Sequence, residues 1–173
     1  MHKIADFFKV SYEQFNSDIR KDLLFFESAE DEIKEIYNRI KLPERSTSGS
    51  AGYDIRTPFG FVLKPGQTIL VPTGIRCRID NGWFFMIVPR SGLGFKYRLQ
   101  LDNTTGIIDS DYFNAENEGH IMAKITNDSK SEKVLKVNDN DRIVQGIFVP
   151  YGITCYDSAD GDRIGGFGSS GVL

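Results

Sequence analysis

The sequence predicts an all-β domain, a sandwich or barrel of short strands, with a short helical extension at its N-terminal end. Three features predict it. From Leu42 onward, β-prone segments alternate at short intervals with Gly, Pro, Asn and Asp. The 17 glycines against 6 prolines supply many turns without the composition of a disordered chain. The first 40 residues differ: they hold no glycine, are rich in Glu, Lys and Phe, and carry apolar residues at helical spacing. A chain of 173 residues can bury one core. We therefore expect an N-terminal extension over 1–41, a β domain over 42–160 and a glycine-rich arm over 161–173.

In chain order, Ile4 to Val10 reads as a strand. Ser11 followed by Gln14 forms a capping box, each side chain able to satisfy an N–H of a first helical turn. A second helix is expected to start at Ser28 with Asp31. Its apolar stripe is Ile33, Ile36, Tyr37 and Ile40, at i, i+3, i+4 and i+7, and packs against the main body. The clearest strands thereafter are Thr68 to Ile79, Trp83 to Val88, Gly119 to Thr126, Val134 to Val137 and Arg142 to Val149. Lys64-Pro65-Gly66-Gln67 and Asp80-Asn81-Gly82 are the turns, with Gly or Asn available for positive φ. Gly161 to Gly171 cannot make a packed strand on its own.

Composition excludes several function classes. A net charge of −3 gives no global pull toward nucleic acid or anionic lipid, so any phosphate binding must be local. Cys77 and Cys155 are too few for a disulfide framework, and no CxxC or HxE pairing exists to hold zinc. A reducing cytoplasm is the expected compartment. The longest apolar run, Trp83 to Pro89, falls far short of the roughly 20 residues of a membrane span, and the first residues lack the apolar core of a signal peptide.

Three segments look chemical. Pro89-Arg90-Ser91-Gly92-Leu93-Gly94 ends a strand in an arginine, a hydroxyl and two glycines, a composition suited to a phosphate cradle, although taken alone an ordinary strand-ending turn with a surface arginine is the commoner reading. Gly106-Ile107-Ile108-Asp109-Ser110-Asp111-Tyr112 runs an apolar strand into two carboxylates. With only His2 and His120 in the chain, a general base for hydrolysis falls to a carboxylate, Asp109 or Asp111, unless Asp-Ser-Asp is simply an Asx turn. The third is Arg163-Ile164-Gly165-Gly166-Phe167-Gly168-Ser169-Ser170-Gly171. Gly166, Gly168 and Gly171 match GxGxxG, but no helix can follow, so the dinucleotide reading fails. What is left is a loop of amides, hydroxyls, one arginine and one aromatic that could close over phosphates and a base. Ala51-Gly52-Tyr53-Asp54-Ile55 sets an acid beside a glycine. Arg142 and Gln145 lie on an otherwise apolar strand; taken alone, each segment reads more readily as structure, Asp54 as a turn residue and Gln145 as a satisfied core amide.

Together, in order and with suitable spacing, these five segments resemble the five motifs of the trimeric dUTPases, over roughly three quarters of the chain. The resemblance implies a distorted jelly roll, a homotrimer with sites at subunit boundaries, and hydrolysis of dUTP to dUMP and pyrophosphate. It implies that Asn103 and the backbone of Gly106, Ile107 and Ile108 pair with uracil, that Tyr112 stacks under the deoxyribose and that Met122 touches the nucleotide. Asp109 matches the water-activating aspartate. Arg90, Ser91, Gly92 and Gln145 would contact phosphates and Arg163 the γ-phosphate. Phe167 would cover the base, with Gly168 and Ser169 completing the lid. Mg²⁺ would bridge the phosphates, held mainly through water, with Asp54 in its outer environment.

The chain departs from the pattern in places. Ile164 stands where the family usually has a small residue, Gly146 replaces a bulky apolar one, and 113–118 looks like an insertion. Two competing readings are a dCTP deaminase-related enzyme and a regulatory, protein-binding member of the family. The full tail and the tyrosine after Asp-Ser-Asp favour dUTP hydrolysis over the first. The second would use the extension or the insertion as its contact surface.

Overall fold

Apolar side chains at every second position fold the chain into antiparallel strands with one face inward, the burial alternating along nearly every strand. The computed structural model describes residues 2–21, 27–161 and 165. The elements are β1 (Ala5–Lys9), α1 (Tyr12–Ile19), α2 (Glu30–Asn38), β2 (Glu44–Arg45), β3 (Tyr53–Arg56), β4 (Phe61–Leu63), β5 (Thr68–Pro72) and β6 (Ile75–Ile79). There follow β7 (Trp83–Pro89), α3 (Ser91–Tyr97), β8 (Leu99–Leu101), β9 (Gly106–Ile108), a 3-10 turn (Ser110–Asn114), β10 (Met122–Asn127), β11 (Leu135–Val137) and β12 (Arg142–Pro150). The largest sheet has the order β2-β3-β12-β7-β9. A second has β5-β10-β8, and the pairs β1-β6 and β4-β11 complete a jelly-roll-like β fold in which the described pairings are antiparallel.

The extension belongs to the same core. Val10, Phe15, Ile19, Ile33, Ile36 and Ile40 are buried with Ile55, Val71, Phe85, Ile121 and Ile125, so the α2 stripe packs on the body as expected. α2 starts differently, however: its N-cap is Ala29, with no side-chain cap, and not Ser28. Half of the capping box forms, Gln14 N–H donating to Ser11 Oγ at 3.1 Å. The reciprocal bond comes from elsewhere. Ser11 N–H donates to Glu118 Oε2 at 2.8 Å, while the Gln14 amide turns to Asp18.

The run Thr68–Ile79 is two strands. Gly74 breaks it at φ +72°, where a Cβ would meet Ile40 Cδ1 at 2.3 Å. Beyond that break the chain leaves β10 and pairs with β1. β10 begins at Met122, not Gly119, because Glu118 and Gly119 both adopt left-handed φ. The 113–118 insertion is folded against the extension: Phe113 meets the Phe8 ring at 5.7 Å and the Arg76 guanidinium at 3.7 Å. Gly146 also acquires a reason. A Cβ there would lie 2.0 Å from Phe85 Cζ, so the bulk missing at Gly146 is supplied by the buried Phe85 ring, which packs with Phe7 and Phe148.

Both cysteines are free thiols. Cys77 is buried on β6, and burial, aided by the nearby Asp6, pushes its thiol up to about 12; Cys155 is exposed, beyond β12. Among the described residues, no helix is long and apolar enough to cross a membrane.

Candidate active site

β3 and β12 run antiparallel with Asp54 opposite Gln145 and Arg56 opposite Arg142. Two arginines directly opposed across a sheet repel unless anionic groups sit beside them. The protein supplies part of that charge. Arg142 Nη1 reaches Asp54 Oδ2 at 3.1 Å, and Arg56 Nη2 reaches Glu44 Oε1 at 3.2 Å. Arg90, which follows β7, brings Nε to the other Asp54 oxygen at 2.9 Å, and Ser46 Oγ donates to Oδ2 at 3.0 Å. Asp54 is therefore a buried anchor that aims two guanidiniums.

That arrangement leaves Asp54 no free carboxylate oxygen for direct coordination, and its expected place in the outer environment of a metal is a separate matter. Both oxygens are engaged, the residue is 6% exposed, and among the described residues no group of three His, Cys, Asp or Glu could hold an ion. Arg56, Arg90, Lys136 and Arg142 instead line, with Leu93, Val137 and Asp141, a cavity of about 350 Å³. With Asp54 and Glu44 paired to three of the guanidiniums and Asp141 in the lining, four cations meet three carboxylates, a small local excess of positive charge in a chain of net negative charge.

Ser91, Gly92 and Leu93 open α3, a helix that the two glycines hid because Gly is among the poorest helix formers. The first bonds closing it are those of Leu93 and Gly94 N–H to the Arg90 carbonyl, so the Ser91 and Gly92 amides precede the helix's own bonding. Gln145 is half-buried on β12, and its Oε1 lies 2.8 Å from where a Gly52 Cβ would stand. Gly52 thus makes room for the Gln145 amide.

The second group of expected residues lies elsewhere. β9 pairs with β7, Gly106 opposite Ile87 and Ile108 opposite Phe85, while β8 pairs with β10. The chain from β8 to β9 turns through 102–105 without the two strands pairing, so that each is an edge strand of its own sheet. Asn103 is exposed in that turn. Gly106 is buried against Ile87, and Ile107 is exposed between buried neighbours. Asp109 is exposed and stands at the start of the 3-10 turn, which its side chain does not cap. Asp111 is exposed one step further on, and Met122 begins β10, half-buried.

Tyr112 does not present the face expected for a sugar. Its ring is 1% exposed, its hydroxyl donates to the His120 carbonyl at 2.9 Å, and it accepts from Asn117 Nδ2 at 2.7 Å. It supports the turn from beneath.

One chain does not unite the two groups. Asp109 leaves β9 at the level of Phe85 and Arg90 lies five residues beyond Phe85, which sets them about 16 Å apart along β7. Arg163, Phe167, Gly168 and Ser169 lie outside the described residues. Arg56 and Lys136 join the cavity from outside the five motifs. The available signal was Arg56 two positions after Asp54, on the same face of a strand.

The dUTPase family profile matches residues 38–171. A deoxyuridine 5′-triphosphate nucleotidohydrolase of Lactococcus lactis is 39% identical over 141 residues, covering 77% of this chain and 89% of its own. One of Burkholderia thailandensis is 42% identical over 141 residues, covering 77% and 90%. The crystal structure of a dUTPase from Streptococcus mutans superposes with a TM-score of 0.58 at 35% identity, covering 65% of this chain and 88% of that one.

Proposed function

This chain belongs to the dUTPase family and is a hydrolase acting on dUTP; from that premise we propose how its residues carry out the reaction. The observation that carries the reading is the cation-lined cavity at Arg90 and Arg142, together with a separate strand edge on β9 that leads into Asp109. Arg90, Arg142, Gln145 and the Ser91–Gly92 amides take the triphosphate, with Asp54 fixing the two arginines. The open edge of Gly106 to Ile108, with Asn103, takes the Watson–Crick side of uracil. Fixed donors and acceptors there reject cytosine, whose mismatched groups would stay unpaired. Met122 borders the nucleotide, and Tyr112 holds the turn that carries Asp109.

Asp109 accepts a proton from a water aligned with the α-phosphorus. The new bond joins that oxygen to phosphorus as the bond to the bridging oxygen breaks, releasing dUMP and pyrophosphate. When bound, magnesium would neutralise charge on the leaving pyrophosphate, held mainly through water with Asp54 in its outer environment. Arg163, Phe167, Gly168 and Ser169 close the site as a lid.

The separation of Asp109 from Arg90 supports a homotrimer in which the base edge of one subunit meets the phosphate cavity of the next. Two free thiols fit a reducing cytoplasm as the place of action. Pyrophosphate release from dUTP with Mg²⁺ tests the mechanism. Asp109→Asn should lower kcat by about 10² to 10⁴-fold, the usual share of a positioned base. Equal rates for the two proteins would overturn it.

A further inference from the structure

The extension ends in the active-site turn through a buried chain of hydrogen bonds. Asp18 on α1 is 5% exposed, and its Oδ2 lies 2.6 Å from His120 Nδ1. The His120 ring is fully buried, and its Nε2 accepts from Gly74 N–H at 2.8 Å. An accepting Nε2 places the ring proton on Nδ1, aimed at Asp18, so the carboxylate fixes both tautomer and ring. Lys21 Nζ and Gln14 Nε2 hold the carboxylate in turn, at 2.6 and 2.8 Å.

From His120 the chain of contacts continues. Its carbonyl accepts from the Tyr112 hydroxyl at 2.9 Å, and Tyr112 N–H donates to the Asp109 carbonyl at 3.2 Å. A second tie joins the same elements, Ser11 Oγ–H donating to Glu118 Oε1 at 2.6 Å. Asp18 and His120 are 102 residues apart, and α1 lies before the region matched by the family profile.

We propose that the N-terminal extension is a positioning element for hydrolysis: Asp18, through His120 and Tyr112, sets the orientation of the turn that carries Asp109. Asp18 and His120 are positioning residues, since neither touches the reacting atoms. The inference rests on the reading of Asp109 as the group that activates water. A merely stabilising extension would affect only the amount of folded protein. A positioning one changes the chemical step and spares substrate binding, because the phosphate cavity lies on other strands.

The test measures kcat and KM for dUTP with Mg²⁺ on the full chain. Asp18→Ala should lower kcat about tenfold, a displacement of well under 1 Å at the reacting group, with KM within twofold of the parent. Asp18→Asn, whose carbonyl can still accept from Nδ1, should restore most of it. Tyr112→Phe removes only one hydroxyl and should give the same fall in kcat. Combined with Asp18→Ala, it should add little, since both act through one path. Ser11→Ala loosens the second tie and should leave kcat at the parental value.

Parental kcat in Tyr112→Phe overturns the proposal, even where Asp18→Ala fails to fold. So does a fall in kcat for Ser11→Ala equal to that for Asp18→Ala. Asp109→Asn separates the two levels of inference. If it is inactive while Asp18→Ala is parental, only the positioning role fails; if it is fully active, the reading of Asp109 fails.

Discussion

Gly52 shows how one absent side chain serves the site. The space its Cβ would fill is taken by the far end of Gln145, a flexible group that can swing away without disturbing the strand pairing. Gly52→Ala should therefore leave the fold intact and displace the amide, raising KM for dUTP several-fold while the melting temperature stays within a few degrees. Unchanged KM would remove Gln145 from phosphate binding. Asp18 gives a second residue-scale outcome. Burial alone would raise its carboxyl, but hydrogen bonds from His120, Lys21 and Gln14 outweigh that and hold it well below the ordinary carboxylate range. The folded value lies under the unfolded one of about 3.9, so this stabilisation is fully present above that pH and drains away as acid lowers the pH through the folded value. Acid titration of the parent and of Asp18→Asn should show the steeper loss in the parent. Superimposable acid limbs would discount the ion pairing.

At the scale of elements, strands were legible wherever one face is buried, because alternation is written into neighbouring positions. The partners were not. Arg56 opposite Arg142, or Ser11 bound to Glu118, depends on strands and loops brought together across 86 and 107 positions, for which a single sequence offers no local signal. The same holds for Gly146, where the compensating bulk comes from Phe85 on the neighbouring strand, not from the glycine's own. Forcing a side chain into that contact should be costly. Gly146→Val is expected to destabilise the fold by about 1–3 kcal/mol, the usual penalty for overpacking, and Phe85→Leu in the same chain should recover part of it. Urea unfolding of the two single variants and the double checks this; strictly additive losses would mean that the ring and the glycine are not coupled.

For the whole molecule, the motifs located the chemistry without revealing its division. Order along the chain says nothing of which motifs share a surface, and here β7 carries the cation cavity at one end and borders Asp109 near the other. If subunits share sites, inactive Asp109→Asn and Arg90→Ala chains should complement each other. Each site then draws its base edge from one chain and its phosphate cavity from another. Dissociation and reassembly of an equal mixture should restore roughly a quarter of parental activity by random association around a ring. Activity no higher than that of the separate variants would argue for sites contained within single chains. The contrast between the two cysteines offers a way to watch this assembly. Cys77 is sealed in the core with a thiol that stays protonated, whereas Cys155 lies exposed on the stretch leading to the arm. A maleimide dye should thus attach at one place in the native chain, turning an unmodified sequence into its own fluorescent reporter of subunit exchange and nucleotide arrival.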